Sequence, residues 1–188
     1  PKKIKDTDMS LHCKTPDDVL KILKDEDIPF VDLRFTDPRG KWQHLTMTSP
    51  FINADSFVDG IMFDGSSIAG WKAINESDMS LIPDATTAVM DPFSAQPSMI
   101  LICNIMDPTT GQSYGRDPRS IAAKGEAYLG STGIGDTAYF GCEPEFFVFD
   151  DVRFDVQMNR CFFEFDSDEG PYVSGKIFPE GGNFGHRP

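Results

Sequence analysis

Two short segments near the start of the chain alternate apolar and polar side chains with a period of two. They are FVDLRF (30–35) and WQHLTM (42–47), and the polar segment TDPRGK lies between them. On an extended strand, this period places alternate side chains on opposite faces. The connecting segment contains Pro and Gly, which favour turns. The two segments therefore predict a β-hairpin.

Helix signals lie on both sides of this hairpin. Upstream, Thr15 has the chemistry of an N-cap and Pro16 that of a first helical residue. Downstream, a short helix is expected at 53–59, and Pro118 begins a longer helix that ends near Leu129. The chain is therefore expected to contain at least three helices.

The other predicted elements follow the hairpin in irregular order. A continuous apolar run predicts a buried strand at 98–106, and further strands are expected at 136–149, 152–157 and 160–166. The segment 62–84 is rich in Gly, Ser and Asn and predicts a long, ordered loop. Strands and helices mixed in this way predict the α+β class.

Composition limits the partners and the location of the protein. The chain has 188 residues, 39% of them hydrophobic, and a formal net charge of −13 from 30 acidic and 17 basic residues. This charge would repel nucleic acid, and the absence of an apolar run near 20 residues argues against a membrane span. Four cysteines without C-x-x-C spacing do not support a zinc site or a disulfide framework. A cytoplasmic protein is expected.

Two glutamates, Glu143 and Glu145, lie in a predicted strand that Phe147 and Phe149 are expected to anchor in a core. On extended backbone, residues i and i+2 point to the same side, with Cα atoms about 6.5–7 Å apart. Pro144 between them cannot donate a ladder hydrogen bond, so an edge, a bulge or a rim is expected here. The two carboxylates are therefore expected to project together.

Three interpretations of this carboxylate pair follow from its chemistry. Two like charges resist ionising together unless a cation joins them, and Mg²⁺ or Mn²⁺ prefers oxygen ligands. The pair could equally be an exposed strand face in water. A third possibility is the acid and base pair of a glycoside hydrolase. The spacing leaves all three open.

Two long segments together resemble glutamine synthetase of the bacterial type. They are MFDGSSIAGWKAINESDMSLIPD (62–84) and FGCEPEFFVFDDVRF (140–154). Three further segments follow the family's order and spacing: FVDLRFTDPRGKWQH, DPRSIAAKGEAYL and the terminal EGGNFGHRP. The resemblance implies a β-grasp domain at 1–110 and the first part of an α+β catalytic domain at 111–188, so that the chain is expected to be a truncated synthetase.

The resemblance also implies an activity. Members of this family join ammonia to L-glutamate with cleavage of ATP, through a γ-glutamyl phosphate intermediate, and use Mg²⁺ or Mn²⁺. Their subunits form homo-oligomeric rings, usually a dodecamer of two stacked hexamers, with active sites between neighbouring subunits. The fragment alone is expected to be inactive.

Three residues of this chain match functional positions of the family. Glu143 matches a ligand of the metal on the ATP side, and Glu145 matches a ligand of the metal on the glutamate side. Asp64 matches the aspartate that helps bind ammonium and takes a proton from it in a neighbouring subunit's site. Without the resemblance, Asp64 before Gly65 would be interpreted as the acid of an Asx-turn.

Two positions depart from the family pattern. Cys142 replaces the more common proline, and Pro179 lies where the bacterial enzymes commonly have a tyrosine near the ammonium pocket. The Pro179 departure leaves open one alternative, a related γ-glutamyl ligase for another amine. A second alternative, of a different class, is a non-catalytic assembly module that keeps the β-grasp surface for subunit contacts.

Overall fold

The structure is a computed structural model that describes residues 10–72 and 77–167. The chain divides into two compact units, Pro1–Ala138 and Tyr139–Pro188. Pro179 and the terminal segment EGGNFGHRP lie outside the described residues. Within the described ranges, none of the helices has the length and apolar character needed to cross a bilayer.

The first unit is built around a mixed sheet, and its described residues include three α-helices. Its strands run in the order β2-β1-β6-β4-β3, with β5 and β7 also pairing with β6; β1 and β6 are parallel, and the other pairs are antiparallel. This arrangement confirms the predicted α+β class. The elements are α1 (Pro16–Asp25), β1 (Phe30–Thr36), β2 (Trp42–Thr48), α2 (Ala54–Val58), β3 (Ile61–Asp64), β4 (Asp78–Pro83), β5 (Val89–Met90), β6 (Ser98–Asp107), β7 (Gln112–Ser113) and α3 (Pro118–Thr132).

The predicted hairpin and helices are confirmed. β1 and β2 pair antiparallel with Leu33 opposite Leu45. The Thr15 hydroxyl accepts a hydrogen bond from the backbone N–H of Asp18, whose carboxylate accepts one from the N–H of Thr15, so a complete capping box begins α1. Helix α3 runs three residues further than predicted, to Thr132.

Strands β1 and β6 form the centre of the core because their apolar side chains are covered on both sides. The strand predicted at 98–106 is confirmed as β6. Among the described residues, the hydrophobic side chains with no exposed surface are Val19, Val31, Leu33, Met79, Leu81, Met99, Leu101 and Cys103. The long strand β6 pairs with four other strands and therefore fixes their positions relative to one another.

The prediction of a long loop at 62–84 is wrong at both ends of this segment, which form strands. The first residues of this segment belong to β3 and the last to β4, and the two strands pair antiparallel with Phe63 opposite Met79. The sequence did not predict β4 because the polar residues Asp78 and Ser80 interrupt its apolar pattern. Ser80 is nevertheless fully buried, because its hydroxyl donates to the backbone carbonyl of Asp59 at 3.0 Å.

A buried carboxylate, Asp32, joins β1 to β2. It accepts hydrogen bonds from the ring Nδ1 of His44, the hydroxyl of Thr46 and the guanidinium Nε of Arg34, at 2.6 to 2.7 Å. Arg34 also pairs with Asp91 at 3.0 Å. Burial raises the pKa of Asp32, but the three hydrogen bonds outweigh burial, and the pKa lies below its ordinary value.

We expect Asp32→Asn to lower the free energy of unfolding by about 2–3 kcal/mol at pH 7, because the buried charge-assisted hydrogen bonds are lost. A carboxyl group whose pKa is lowered by folding stabilises the protein above its unfolded pKa and loses that contribution as the pH falls through its folded pKa. The difference between variant and wild type should therefore shrink below about pH 4. Urea unfolding from pH 7 down to pH 3.5 measures it, with the exposed Asp55→Asn as control. A difference in unfolding free energy between wild type and Asp32→Asn that does not change with pH would contradict the lowered pKa of Asp32.

The second unit contains one described hairpin. Strands β8 (Asp151–Gln157) and β9 (Arg160–Asp166) pair antiparallel, which confirms the strands predicted at 152–157 and 160–166. Directly opposite residues share a face, so one face of this ribbon is entirely apolar: Val152, Phe154, Val156, Cys161, Phe163 and Phe165. On the other face, Arg153 pairs with Asp166 at 3.2 Å.

The strand predicted at 136–149 is wrong. Residues 139–149 have no regular secondary structure, and the hairpin begins at Asp151. Phe147 is 75% exposed, so the expected anchoring in a core is wrong as well; Phe149 is 38% exposed and contacts Phe165, with ring centroids 4.6 Å apart. Pro144 removes one donor, and no strand of the described residues lies beside this segment to complete a ladder.

Candidate functional site

Asp64 lies at the end of β3 and caps the 3₁₀ turn at 65–67. Its Oδ1 accepts hydrogen bonds from the backbone N–H of Ser66 at 2.8 Å and from the Ser66 hydroxyl at 2.6 Å. This is the Asx-turn predicted as the structural alternative for Asp64. The carboxylate is nevertheless exposed, so a structural role and a binding role are compatible.

The turn is fixed against β4 by a close approach at Gly65. The N–H of Gly65 donates to the carbonyl of Ser77 at 2.7 Å. A Cβ at Gly65 would lie 2.4 Å from Cγ of Met79 and 3.0 Å from the Ser77 carbonyl, so a larger residue would force the turn away from β4. Glycine at this position therefore sets the place of Asp64 relative to the sheet.

A second turn of the same kind shows what is unusual about Asp64. Asp84 accepts from the backbone N–H and the hydroxyl of Thr86 at 3.0 and 2.6 Å, and its other oxygen pairs with Arg119 at 2.6 Å. Asp64 makes the matching contacts with Ser66, but it forms no ion pair with any side chain that the structure describes. Of the two turns, only the one at Asp84 therefore has a cationic partner within 10–72 and 77–167.

The protonation state of Asp64 follows from these contacts. The hydrogen bonds from the side chain and the backbone of Ser66 hold the pKa of Asp64 below its ordinary value. The group is therefore anionic at neutral pH. A carboxylate with a lowered pKa attracts a cation well but is a weak proton acceptor, so this geometry favours electrostatic binding over general-base catalysis.

Asp64 also lines a cavity of about 290 Å³ between the two edge strands of the sheet, β2 and β3. The sequence did not predict that residues of β2 line the same cavity as Asp64. The two strands lie at opposite edges of the sheet, and no local sequence pattern indicates that such strands share a cavity. The lining residues are Phe35, Gln43, His44, Leu45, Phe63, Asp64, Ser67 and Ile68.

Glu143 and Glu145 lie in the irregular segment of the second unit, and both are exposed. Since this segment is not a strand, the period-two argument for a shared face does not apply to it here. Their carboxylates have the right chemistry for Mg²⁺ or Mn²⁺. Across 10–72 and 77–167, however, no three His, Cys, Asp or Glu residues gather as a metal site would require. The donor type fits a metal, and a complete ligand set needs further residues.

Comparison with known sequences finds two matches to models of protein domains. The sequence model described as the glutamine synthetase β-grasp domain matches residues 27–108, and the one described as the glutamine synthetase catalytic domain matches residues 115–187. The chain belongs to the glutamine synthetase family. Together the two matched ranges contain Asp64 in the first and Glu143 and Glu145 in the second.

Relatives within the glutamine synthetase family are close in sequence. The chain is 62% identical over 170 residues to a glutamine synthetase of Azospirillum brasilense, which covers 90% of this chain and 36% of that protein. It is 58% identical over 174 residues to a glutamine synthetase of Bradyrhizobium diazoefficiens, covering 93% and 37%. A 3-hydroxylaminophenol mutase of Cupriavidus pinatubonensis is 54% identical over 171 residues, covering 91% and 36%. The chain thus spans little more than a third of these relatives.

A solved structure shares the fold at low sequence identity. A Plasmodium falciparum glutamine synthetase, determined by electron cryomicroscopy, matches with a TM-score of 0.67 and 20% identity, over 87% of this chain and 32% of the other. The predicted β-grasp domain and the start of a catalytic domain are thereby confirmed as the fold.

Proposed function

We propose that this chain is the N-terminal part of a glutamine synthetase that joins ammonia to L-glutamate with ATP, through γ-glutamyl phosphate. The identity of up to 62% to glutamine synthetases, over about 90% of the chain, supports this activity. Within the chain, we propose a β-grasp domain at 1–110 and the first part of the catalytic domain at 111–188.

The observation that carries this proposal is the state of Asp64. It is an exposed, anionic carboxylate, held by Ser66 and without an ion pair among the described residues. Ammonium is a small cation whose capture needs such a charge. We propose that Asp64 attracts ammonium in the active site of a neighbouring subunit. The lowered pKa supports attraction more strongly than the second suggested role, acceptance of the ammonium proton.

Glu143 and Glu145 would hold Mg²⁺ or Mn²⁺, Glu143 on the ATP side and Glu145 on the glutamate side. When bound, these ions would offset the charge of the phosphate oxygens and polarise the γ-carboxylate of glutamate. The contribution of the chain itself is to place two carboxyl side chains two positions apart, on either side of Pro144. A glutamine at either position would keep the shape and lose the charge.

The proposed setting is a cytoplasmic homo-oligomeric ring, a dodecamer in the full-length protein, with active sites between subunits. ATP, glutamate and ammonium are its small-molecule partners, and neither nucleic acid nor a membrane is among them. The net charge of −13 supports the exclusion of nucleic acid.

The experiment that tests this function is an assay of the full-length protein that carries this chain. We expect glutamine to form only when ATP, glutamate and ammonium are all present, with one ADP released for each glutamine. The 188-residue chain alone should show no such turnover. ATP cleavage that depends on a larger amine and not on ammonium would replace the proposal with the γ-glutamyl-amine ligase. Assembly without any turnover would leave the non-catalytic module.

A second candidate activity comes from the relative named 3-hydroxylaminophenol mutase, at 54% identity. This name shows that high identity within the matched region accompanies more than one reported activity. The same assay should therefore include 3-hydroxylaminophenol without ATP. Its conversion in the absence of ammonium-dependent glutamine formation would favour the mutase.

A further inference from the structure

The connector between β7 and α3 is rigidly attached to the central strand of the first unit. The N–H of Tyr114 donates to the carbonyl of Ile105 in β6 at 2.8 Å. Asp117 is fully buried, and its carboxylate accepts from the N–H of Ile105 at 3.2 Å and from the hydroxyl of Ser120 at 2.8 Å. A side chain that extends from this connector therefore starts from a fixed point.

Arg116 extends from the connector to the segment that follows the Asp64 turn. Its Nη1 donates to the carbonyl of Gly70 at 2.7 Å and to the carbonyl of Trp71 at 3.2 Å. Arg116 forms no ion pair with a described carboxylate. Its hydrogen bonds to described residues are those to the backbone carbonyls of Gly70 and Trp71. Lys72 adds a second tie next to it, pairing with Asp107 at the end of β6 at 2.8 Å.

The indole of Trp71 packs in the same place but contributes no hydrogen bond. It lies 5.4 Å from the ring of Phe35 and 5.4 Å from the ring of Tyr114, and it is 5% exposed. Its Nε1 has no hydrogen-bond partner among the described residues. Apolar packing is not directional. The backbone at 70–71 is therefore oriented by its hydrogen bonds, which include the two from Arg116.

Two consecutive turns connect the Asp64 turn to Trp71, whose carbonyl Arg116 holds. The N–H of Ile68 donates to the carbonyl of Gly65 at 3.2 Å, and the N–H of Trp71 donates to the carbonyl of Ile68 at 3.1 Å. Ile68 is buried. Gly65 is fixed at one end of this segment by β4, and Trp71 at the other end by Arg116, so the intervening residues are held at both ends.

We propose that Arg116 is a positioning residue: by holding the Gly70 and Trp71 carbonyls, it fixes the turn that presents Asp64 to ammonium. This inference rests on the proposed glutamine synthetase function and deepens it. It places control of ammonium binding at the start of the proposed catalytic domain, in the connector that precedes α3. Arg116 itself need not touch substrate.

The test compares Arg116→Met, Arg116→Lys and Arg119→Met in the full-length protein. Arg119 comes from the same connector region but bonds to Asn104 and Asp84, away from the Asp64 turn, so its variant is a matched control for general destabilisation. We expect Arg116→Met to raise the ammonium KM roughly tenfold, as misplacement of a binding group does, and to leave the ATP KM within about twofold. Arg116→Lys, which retains a donor, should recover part of the loss.

A second readout reports on the segment itself. The 188-residue chain has two tryptophans, so the Trp42→Phe variant leaves Trp71 as its single reporter. Adding Arg116→Met should shift the Trp71 emission to longer wavelength and increase quenching by acrylamide, whereas adding Arg119→Met should not.

Each outcome decides the inference. A selective rise of the ammonium KM with altered Trp71 emission supports it. An unchanged ammonium KM, or equal changes for ammonium, ATP and glutamate in the Arg116 and Arg119 variants, overturns it. If the wild-type protein forms no glutamine, the proposed function fails independently of Arg116. The Trp71 emission then decides whether Arg116 holds the segment at 70–71: an unshifted spectrum in the Arg116→Met variant overturns this role, and a shifted one supports it.

Discussion

Replacing Asp64 with asparagine is expected to lower kcat/KM for ammonium roughly 100-fold in the full-length protein, a loss of the size expected when a charged hydrogen-bond partner is removed. Asparagine keeps an oxygen that can accept from the N–H of Ser66, so the turn should persist. The loss then comes from the charge alone. The KM values for ATP and glutamate should change by less than about twofold.

Two further variants separate charge from shape. Asp55→Asn removes an exposed carboxylate from α2 in the same unit and should leave the ammonium KM unchanged. Ser66→Ala removes the hydroxyl donor to Asp64 and keeps the charge, so its effect should be much smaller than that of Asp64→Asn. Asp64→Asn with wild-type ammonium kinetics would show that the carboxylate has only its structural role in the Asx-turn.

The second large effect is expected at the two glutamates. Glu143→Gln and Glu145→Gln should each raise the Mn²⁺ concentration for half-maximal activity by more than about tenfold, since even indirect partners of a metal ligand contribute that much. A carboxamide keeps the size of the side chain but is a neutral and weaker ligand for a hard cation. The ATP KM should rise in the Glu143 variant and the glutamate KM in the Glu145 variant.

Glu126→Gln is the matched control for this pair. Glu126 is an exposed residue of α3, and its variant makes the same chemical change away from the proposed metal site. It should leave the Mn²⁺ requirement unchanged. Equal requirements in all three variants and the wild type would remove the metal role from Glu143 and Glu145.

Local signals in the sequence predicted the local structure well. Thr15 and Pro16 begin α1 as expected, and Asp117 caps α3 through the N–H groups of Arg119 and Ser120. These elements are determined by hydrogen bonds between residues three or four apart, which a sequence shows directly. The Asx-turn at Asp64 is equally local, because both of its hydrogen bonds from Ser66 join residues two positions apart.

Pairing between distant segments could not be predicted in the same way. Strand β3 forms because β4 lies beside it, and β4 is held in turn by β6, more than 20 residues further along. Conversely, residues 139–149 have an apolar composition typical of a strand, but no described strand pairs with them. A strand needs a partner as well as a suitable sequence.

The difference in ion pairing between Asp64 and Asp84 among the described residues could not be predicted from the sequence either. Asp64 and Asp84 are both followed by a hydroxyl residue at the second position, and both form the same turn. They differ because Arg119 at the start of α3 reaches Asp84 and no described cation reaches Asp64. The packing of α3 decides this difference.

Binding of Mn²⁺ to the full-length protein, followed by electron paramagnetic resonance of the free ion, tests the proposed metal role of Glu143 and Glu145. We expect Glu143→Gln and Glu145→Gln each to bind about one equivalent fewer per subunit than the wild type at the same free Mn²⁺ concentration, while Glu126→Gln binds as the wild type does. Wild-type binding in both the Glu143 and the Glu145 variant would contradict this role.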